Sequence, residues 1–228
     1  MRNKFRLLIM MMVVGGLTAC ADIRNDPAVL PQDIVERALV TVERFKHEPD
    51  LAKFAKYMPG ARAVVVLPNV IKAGLLGAAE VGHGVMLAKR ADGSWSYPAF
   101  YTLGSGSIGF QIGIQSTEVI LVVRTDQALQ SLMKHQAKFG ADTGITVGVV
   151  GVGMEAAITT DPRTYILAFA NAKMGAFGGA SLEGAVLARR NDLNEAYYGK
   201  GATPQAIALE GKFTNAKADG LRKALAIR

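Results

Sequence analysis

Thiol chemistry is almost absent from this chain of 228 residues: Cys20 is its one cysteine, so no internal disulfide can staple the fold. Histidine is nearly as scarce. His47, His83 and His135 lie far apart, and none has a second ligand at the i+4 spacing of a helical zinc site, so no metal is expected. The sequence has no P-loop and no G-x-S-x-G elbow. Ser181 in "GGASLEG" lacks the second glycine at the elbow's offset, Glu183 suits an acid paired with Lys or Arg, and no catalytic residue or cofactor emerges. Dense runs of one charge are missing too: 26 Lys and Arg are scattered against 19 Asp and Glu, which argues against a nucleic-acid partner. Nor is there an apolar run of the ~20 residues that a spanning helix needs.

What the chain does have begins at its start. Arg2, Lys4 and Arg6 precede a short apolar run from Leu7 to Leu17, the composition of a signal peptide over residues 1–19. Leu17-Thr18-Ala19-Cys20 resembles the lipobox of bacterial lipoproteins, which implies that Cys20 is the lipid attachment point and first mature residue. Ala21, rather than an acidic residue, follows it, and this favours the outer membrane over the inner one. Removing the leader with its three basic residues lowers the formal charge from +7 to +4. Residues 20–30 read as an acylated tether reaching at most about 35 Å, and residues 31–228 as one domain.

Within that domain the apolar spacing predicts a helix from Pro31 to Glu48, through Ile34, Val35, Ala38, Leu39, Val42 and Phe45, packed on a core rather than on lipid. A short helix is expected at Asp50–Tyr57. From Ala61 the period changes to that of strands: "ARAVVVLP" closed by Pro68, then "VGHGVMLAKR", a turn at Ala91–Ser94, and "WSYPAFYT" as an edge strand carrying Pro98. Gly104, Gly106 and Gly109 match G-x-G-x-x-G, but "FQIGIQ" after them alternates as a strand and leaves no room for the helix a dinucleotide site needs. These glycines are expected to relieve crowding in a bent sheet. "TEVILVV" reads as a buried strand, "TDQALQSLMKHQAKFG" as a helix capped by Thr125 and ended by Gly140, "GITVGVVGVGMEAAITT" as strand, and "TYILAFANAKMGAFGGASLEGAVLARR" as two further strands around a turn at Lys173–Gly179. Helical segments close the chain at Asp192–Tyr198, Thr203–Leu209 and Asn215–Ile227. The last of these suits either a basic helix docked on a membrane or a lid on the β-structure. The fold class is therefore α+β: a curved or closed antiparallel sheet, barrel- or sandwich-like, with N-terminal helices, one inserted helix and C-terminal helices.

Two long segments carry a family likeness. "VIKAGLLGAAEVGHGVMLAKRADGSWSYPAF" with "GSGSIGFQIGIQSTEVILVV", and later "YILAFANAKMGAFGGASLEGAVLARRNDLNEAYYG", resemble the two signatures of the SYLF domain family, in the family's order. The resemblance implies a non-enzymatic module that binds phospholipid, phosphoinositide-type or other anionic headgroups. Eukaryotic members also bind actin beside an SH3 or FYVE domain. This chain departs from them in having neither an accompanying domain nor a basic first helix, and because a periplasmic protein meets no actin, no actin partner is expected. Lys72, Lys89, Arg90, Lys173, Arg189 and Arg190, at strand ends and turns, are the candidate headgroup contacts. The expected setting is a bacterial envelope membrane facing the periplasm. Two rival readings are an envelope module that binds a partner protein, and a hydrolase with an unrecognised site.

Overall fold

A computed structural model describes residues 29–49, 52–74, 77–108, 113–140, 145–150, 164–172, 182 and 184–227. Cys20, the leader, the tether up to Ala28, Lys173, Ser181 and Glu183 lie outside them. The chain opens with α1 (Leu30–His47) and a 3-10 turn (Ala52–Tyr57), followed by β1 (Ala63–Gly74), β2 (Gly77–Ala88), β3 (Ala99–Ile108) and β4 (Gly113–Val123). Helix α2 (Asp126–Leu132) precedes β5 (Gln136–Lys138), β6 (Thr146–Val150), β7 (Thr164–Ala172) and β8 (Val186–Arg189). Helix α3 (Asn191–Tyr198), a π-turn (Gln205–Leu209) and α4 (Asp219–Ala224) complete it.

The eight strands form one curled, open sheet in the order β5-β8-β3-β2-β1-β4-β7-β6. Neighbours are antiparallel except β6 and β7, which run parallel. This is the expected α+β class, with a mixed rather than purely antiparallel sheet.

Alternation along the strands divides the core into two layers. Ala63, Val65 and Leu67 of β1, with Met86, Tyr101, Leu121 and Ile166, pack on one face against Leu129 and Leu132 of α2, Phe139 and Ile207. Val64 and Val66, with Val85, Leu87, Phe100, Ile120 and Phe169, pack on the other. That second face is covered by Ile34, Val35, Ala38, Val42 and Phe45 of α1 and by Leu221 and Leu225 near the C-terminus. Both amphipathic helices are thus spent on the core. Trp95 Nε1 donates to the Leu225 carbonyl at 2.8 Å, which fixes the end of the chain over the sheet.

Several local expectations change. Pro68 does not end β1; the strand passes through it on a bulge, where pairing slips between Val66 and Asn69 toward β2 and between Leu67 and Val70 toward β4. Pro98 lies just before β3, and β3 is an interior strand between β2 and β8, because Pro98 itself makes no ladder bond. The helix after Thr125 ends at Leu132 instead of Gly140; Gln136–Lys138 pair with β8 as β5. Thr125 does cap it, accepting from Ala128 N–H at 3.2 Å. The crowding that glycine relieves lies elsewhere than expected. A Cβ on Gly104 or Gly106 would meet open space, whereas one on Gly84 would stand 2.2 Å from the Val66 carbonyl oxygen, against the bulge. Gly109 lies outside the described residues.

Candidate functional site

Beyond the Pro68 bulge the sheet loses one of its covers. α1 reaches only to Leu30, and β1 and β2 run on past it. On the α1 side this leaves a groove of about 580 Å³ lined by Leu30 and Ile34 of α1 and by Ile71, Ala73, Ala79 and Val81 of the hairpin. Its floor follows from pairing register: Ile71 faces Val81 and Ala73 faces Ala79 directly across the ladder. Ile71 is 44 % exposed and Val81 50 %. The bulge accounts for the arrangement, since one extra residue swaps which side chains of β1 look toward α1.

Polar groups rim this groove. Arg37 pairs with Asp33 at 2.8 Å on the α1 side. At the other side His83 Nδ1 lies 2.8 Å from Thr102 Oγ1. Arg190 donates to Thr102 Oγ1 at 3.3 Å and grips Asp192 through Nε at 2.8 Å and Nη2 at 2.6 Å. Burial and the Arg190 guanidinium hold the His83 imidazole below its ordinary pKa. The hydrogen bond from Arg190 likewise lowers that of Asp192. A second polar knot fixes α1 itself: buried Glu118 of β4 accepts from Arg44, from Thr41 Oγ1 at 3.2 Å and from Asn171 Nδ2 at 2.9 Å. It ties α1, which forms one wall of the groove, to β4 and β7.

The candidate headgroup cations are not gathered into one patch. Lys72 lies 2.9 Å from Glu80 Oε1, across the ladder on the face away from the groove, an ion pair that leaves both carboxylate oxygens without an aligned hydrogen bond. Lys89 stands at the far end of β2, roughly 30 Å from Glu80 at about 3.3 Å per strand residue. There its ammonium donates to the carbonyls of Met58 at 3.3 Å and Pro59 at 3.1 Å, and sits 5.7 Å from the Trp95 ring centroid. Arg90 lies beside Gly211, whose φ of +67° suits glycine. Arg189 donates to the Met133 carbonyl at 3.5 Å, and Arg190 is held by Asp192. Lys173 is outside the described residues. Position at a strand end is visible in sequence, but which carboxylate or carbonyl each cation meets depends on strand register, turn geometry and the packing of neighbouring segments.

Sequence reading missed the apolar ladder. Its signal was present in "NVIKA" and "AEVGH", where Ile71 and Val81 alternate with Lys72 and Glu80, but the slip at Pro68 hid which side was covered. For metal chemistry, no cluster of three His, Cys, Asp or Glu side chains occurs among the described residues. No helix among them is long and apolar enough to cross a membrane.

A curled mixed sheet carries helical elements on both faces, and the α1-side cover stops short of the far end of the β1–β2 hairpin, where an apolar groove opens. The chain belongs to the Ysc84 family, the family of the SYLF signature: the family model described as "Las17-binding protein actin regulator" matches residues 104–227. It is similar to LAS seventeen-binding protein 3 of Saccharomyces cerevisiae, with 29 % identity over 72 % of this chain and 35 % of that protein. SH3 domain-containing YSC84-like protein 1 of Rattus norvegicus is 30 % identical over 67 % of this chain and 45 % of its own length. The chain thus spans between about a third and just under half of these relatives.

These likenesses correct the expectation that actin has no place here. That expectation rests on a periplasmic setting, with a first helix that is not basic and no second domain; the matched segment begins at Gly104, beyond α1 altogether, and the family it matches is described as an actin regulator.

Proposed function

We propose that the protein is a membrane-attached, non-enzymatic binding module whose domain engages phospholipid, with Cys20 as the acylated residue that holds it to a bacterial envelope membrane. The observation that carries the lipid reading is the position of Leu30. It lines the groove and stands only ten residues after Cys20, so an anchor there keeps the groove within about 35 Å of a bilayer. Two or three acyl chains, at about 0.8 kcal/mol per buried methylene, make such an attachment durable. At that range headgroups are presented at high effective concentration, and weak contacts suffice.

The test has two parts. Mass spectrometry of the mature protein should find Cys20 at the N-terminus carrying acyl groups. The mature chain with Cys20→Ala should still co-sediment with phospholipid vesicles; a free thiol in the first measurement and protein left in the supernatant in the second would sink the reading.

A second reading is favoured by the family description and by the printed names of the relatives: a protein partner of the actin-regulating kind. Co-sedimentation with filamentous actin checks it, and protein remaining in the supernatant at saturating filament concentration counts against it.

A further inference from the structure

We infer that the Ile71–Val81 ladder is an insertion surface, which lowers uncharged side chains into the acyl boundary of the bilayer instead of reading headgroup charge. This rests on the proposed membrane attachment and adds to it the face and the mode of contact.

Three observations on separate parts of the molecule converge. First, five large apolar side chains stand exposed among the described residues, and two of them, Ile71 and Val81, face each other across the ladder and line the groove, while a third, Val29, precedes its lining residue Leu30 in the chain. Scattered exposed apolar residues need no explanation, but a contiguous patch does. Second, the ladder is free of charge. The charged residues interleaved with it, Lys72 and Glu80, point to the opposite face and pair with each other there. Third, the chain enters the fold at this end: Val29 and Leu30 follow the 28 residues outside the described part, and Cys20 is among those. A lipid anchor therefore approaches the domain beside its bare apolar face. The far end of β2 offers the contrast, because Lys89 and the Asp92 turn are polar there and the one exposed apolar side chain nearby is Leu209.

The single native cysteine makes the test clean. With Cys20 capped as a thioether, Val81→Cys is the one free thiol and takes one environment-sensitive fluorophore per chain. The protein is bound to neutral phosphatidylcholine vesicles containing a lipid with a spin label on its acyl chain. The expected result is a blue-shifted emission and at least about twofold stronger quenching at position 81 than for the same label on Asp92→Cys, unchanged when salt is raised. Ile71→Asp, directly across the ladder, should abolish the shift. Equal quenching at 81 and 92 overturns the insertion surface while leaving attachment intact, and so does quenching that salt removes. Two labels per chain would report a free Cys20 and overturn the anchor; the double variant Cys20→Ala, Val81→Cys then reads the face by itself. Protein that fails to sediment with the vesicles overturns both.

Discussion

The two ends of the β1–β2 hairpin are built from similar residues and do different work. Near Ala63–Leu67 and Val85–Ala88 every side chain is buried, odd and even positions alike, because α1, α4 and the C-terminal residues cover one face and α2 with the π-turn covers the other. Past Pro68, valine, isoleucine and alanine recur, yet Ile71, Ala73, Ala79 and Val81 are exposed. Apolar composition is the same at both ends; the cover differs. A β-branched residue under a helix stabilises the fold, while the same residue without one is free to meet something else.

Substitutions should break that symmetry in order of burial. Phe100, fully buried against the Tyr197 ring at 5.3 Å between centroids, marks the covered half. Phe100→Ala is expected to cost about 3–5 kcal/mol in a urea unfolding curve. Glu118→Gln, which keeps the shape but removes the charge facing Arg44, should lower stability by about 2 kcal/mol. A loss much smaller than that would show α1 to be held by apolar packing alone. The boundary between the halves is tested by Gly84→Ala, where the added methyl meets the Val66 carbonyl: about 1–3 kcal/mol is expected. Gly104→Ala, with open space around it, should change stability by no more than about 0.5 kcal/mol. In the bare half, Ile71→Ser and Val81→Ser should stay within about 0.5 kcal/mol of the parent in the same assay while weakening vesicle binding.

The smallest effect concerns pH. The folded His83 titrates below its ordinary value, so the unfolded chain binds the proton first as pH falls. Stability should therefore decline as pH drops from about 6.5 toward the lowered folded value, then level off. His83→Gln should flatten that part of a melting-temperature profile. An unchanged slope would assign the dependence to the carboxylates, of which Asp192 and Asp219 are also depressed and lose their contribution at lower pH still.

Much of the fold was legible because its signals are local. The spacing of Ile34, Val35, Ala38, Val42 and Phe45 marks α1 and its buried side, and Thr125 marks the start of α2. Gln136–Lys138 read as helix in the sequence because their reason for being strand lies some fifty residues later, in β8. Pro68 reads as a stop for the same kind of reason: a bulge is defined by two partner strands, neither of which is visible from β1 itself. The site was the least legible part. Whether Lys72, Arg189 or Arg190 is available depends on Glu80, Met133 and Asp192 arriving beside them.

By itself the sequence determined the family, the α+β class, the buried faces of the helices and the failure of the dinucleotide motif, since periodicity and motif order are properties of the chain read one window at a time. Only the tertiary structure decided which apolar residues are covered, which charges are already paired and where the groove opens. The cover and the groove depend on contacts between segments far apart in sequence, the pairings depend on strand register and turn geometry, and a bulge of one residue is enough to change which side chains of β1 are covered.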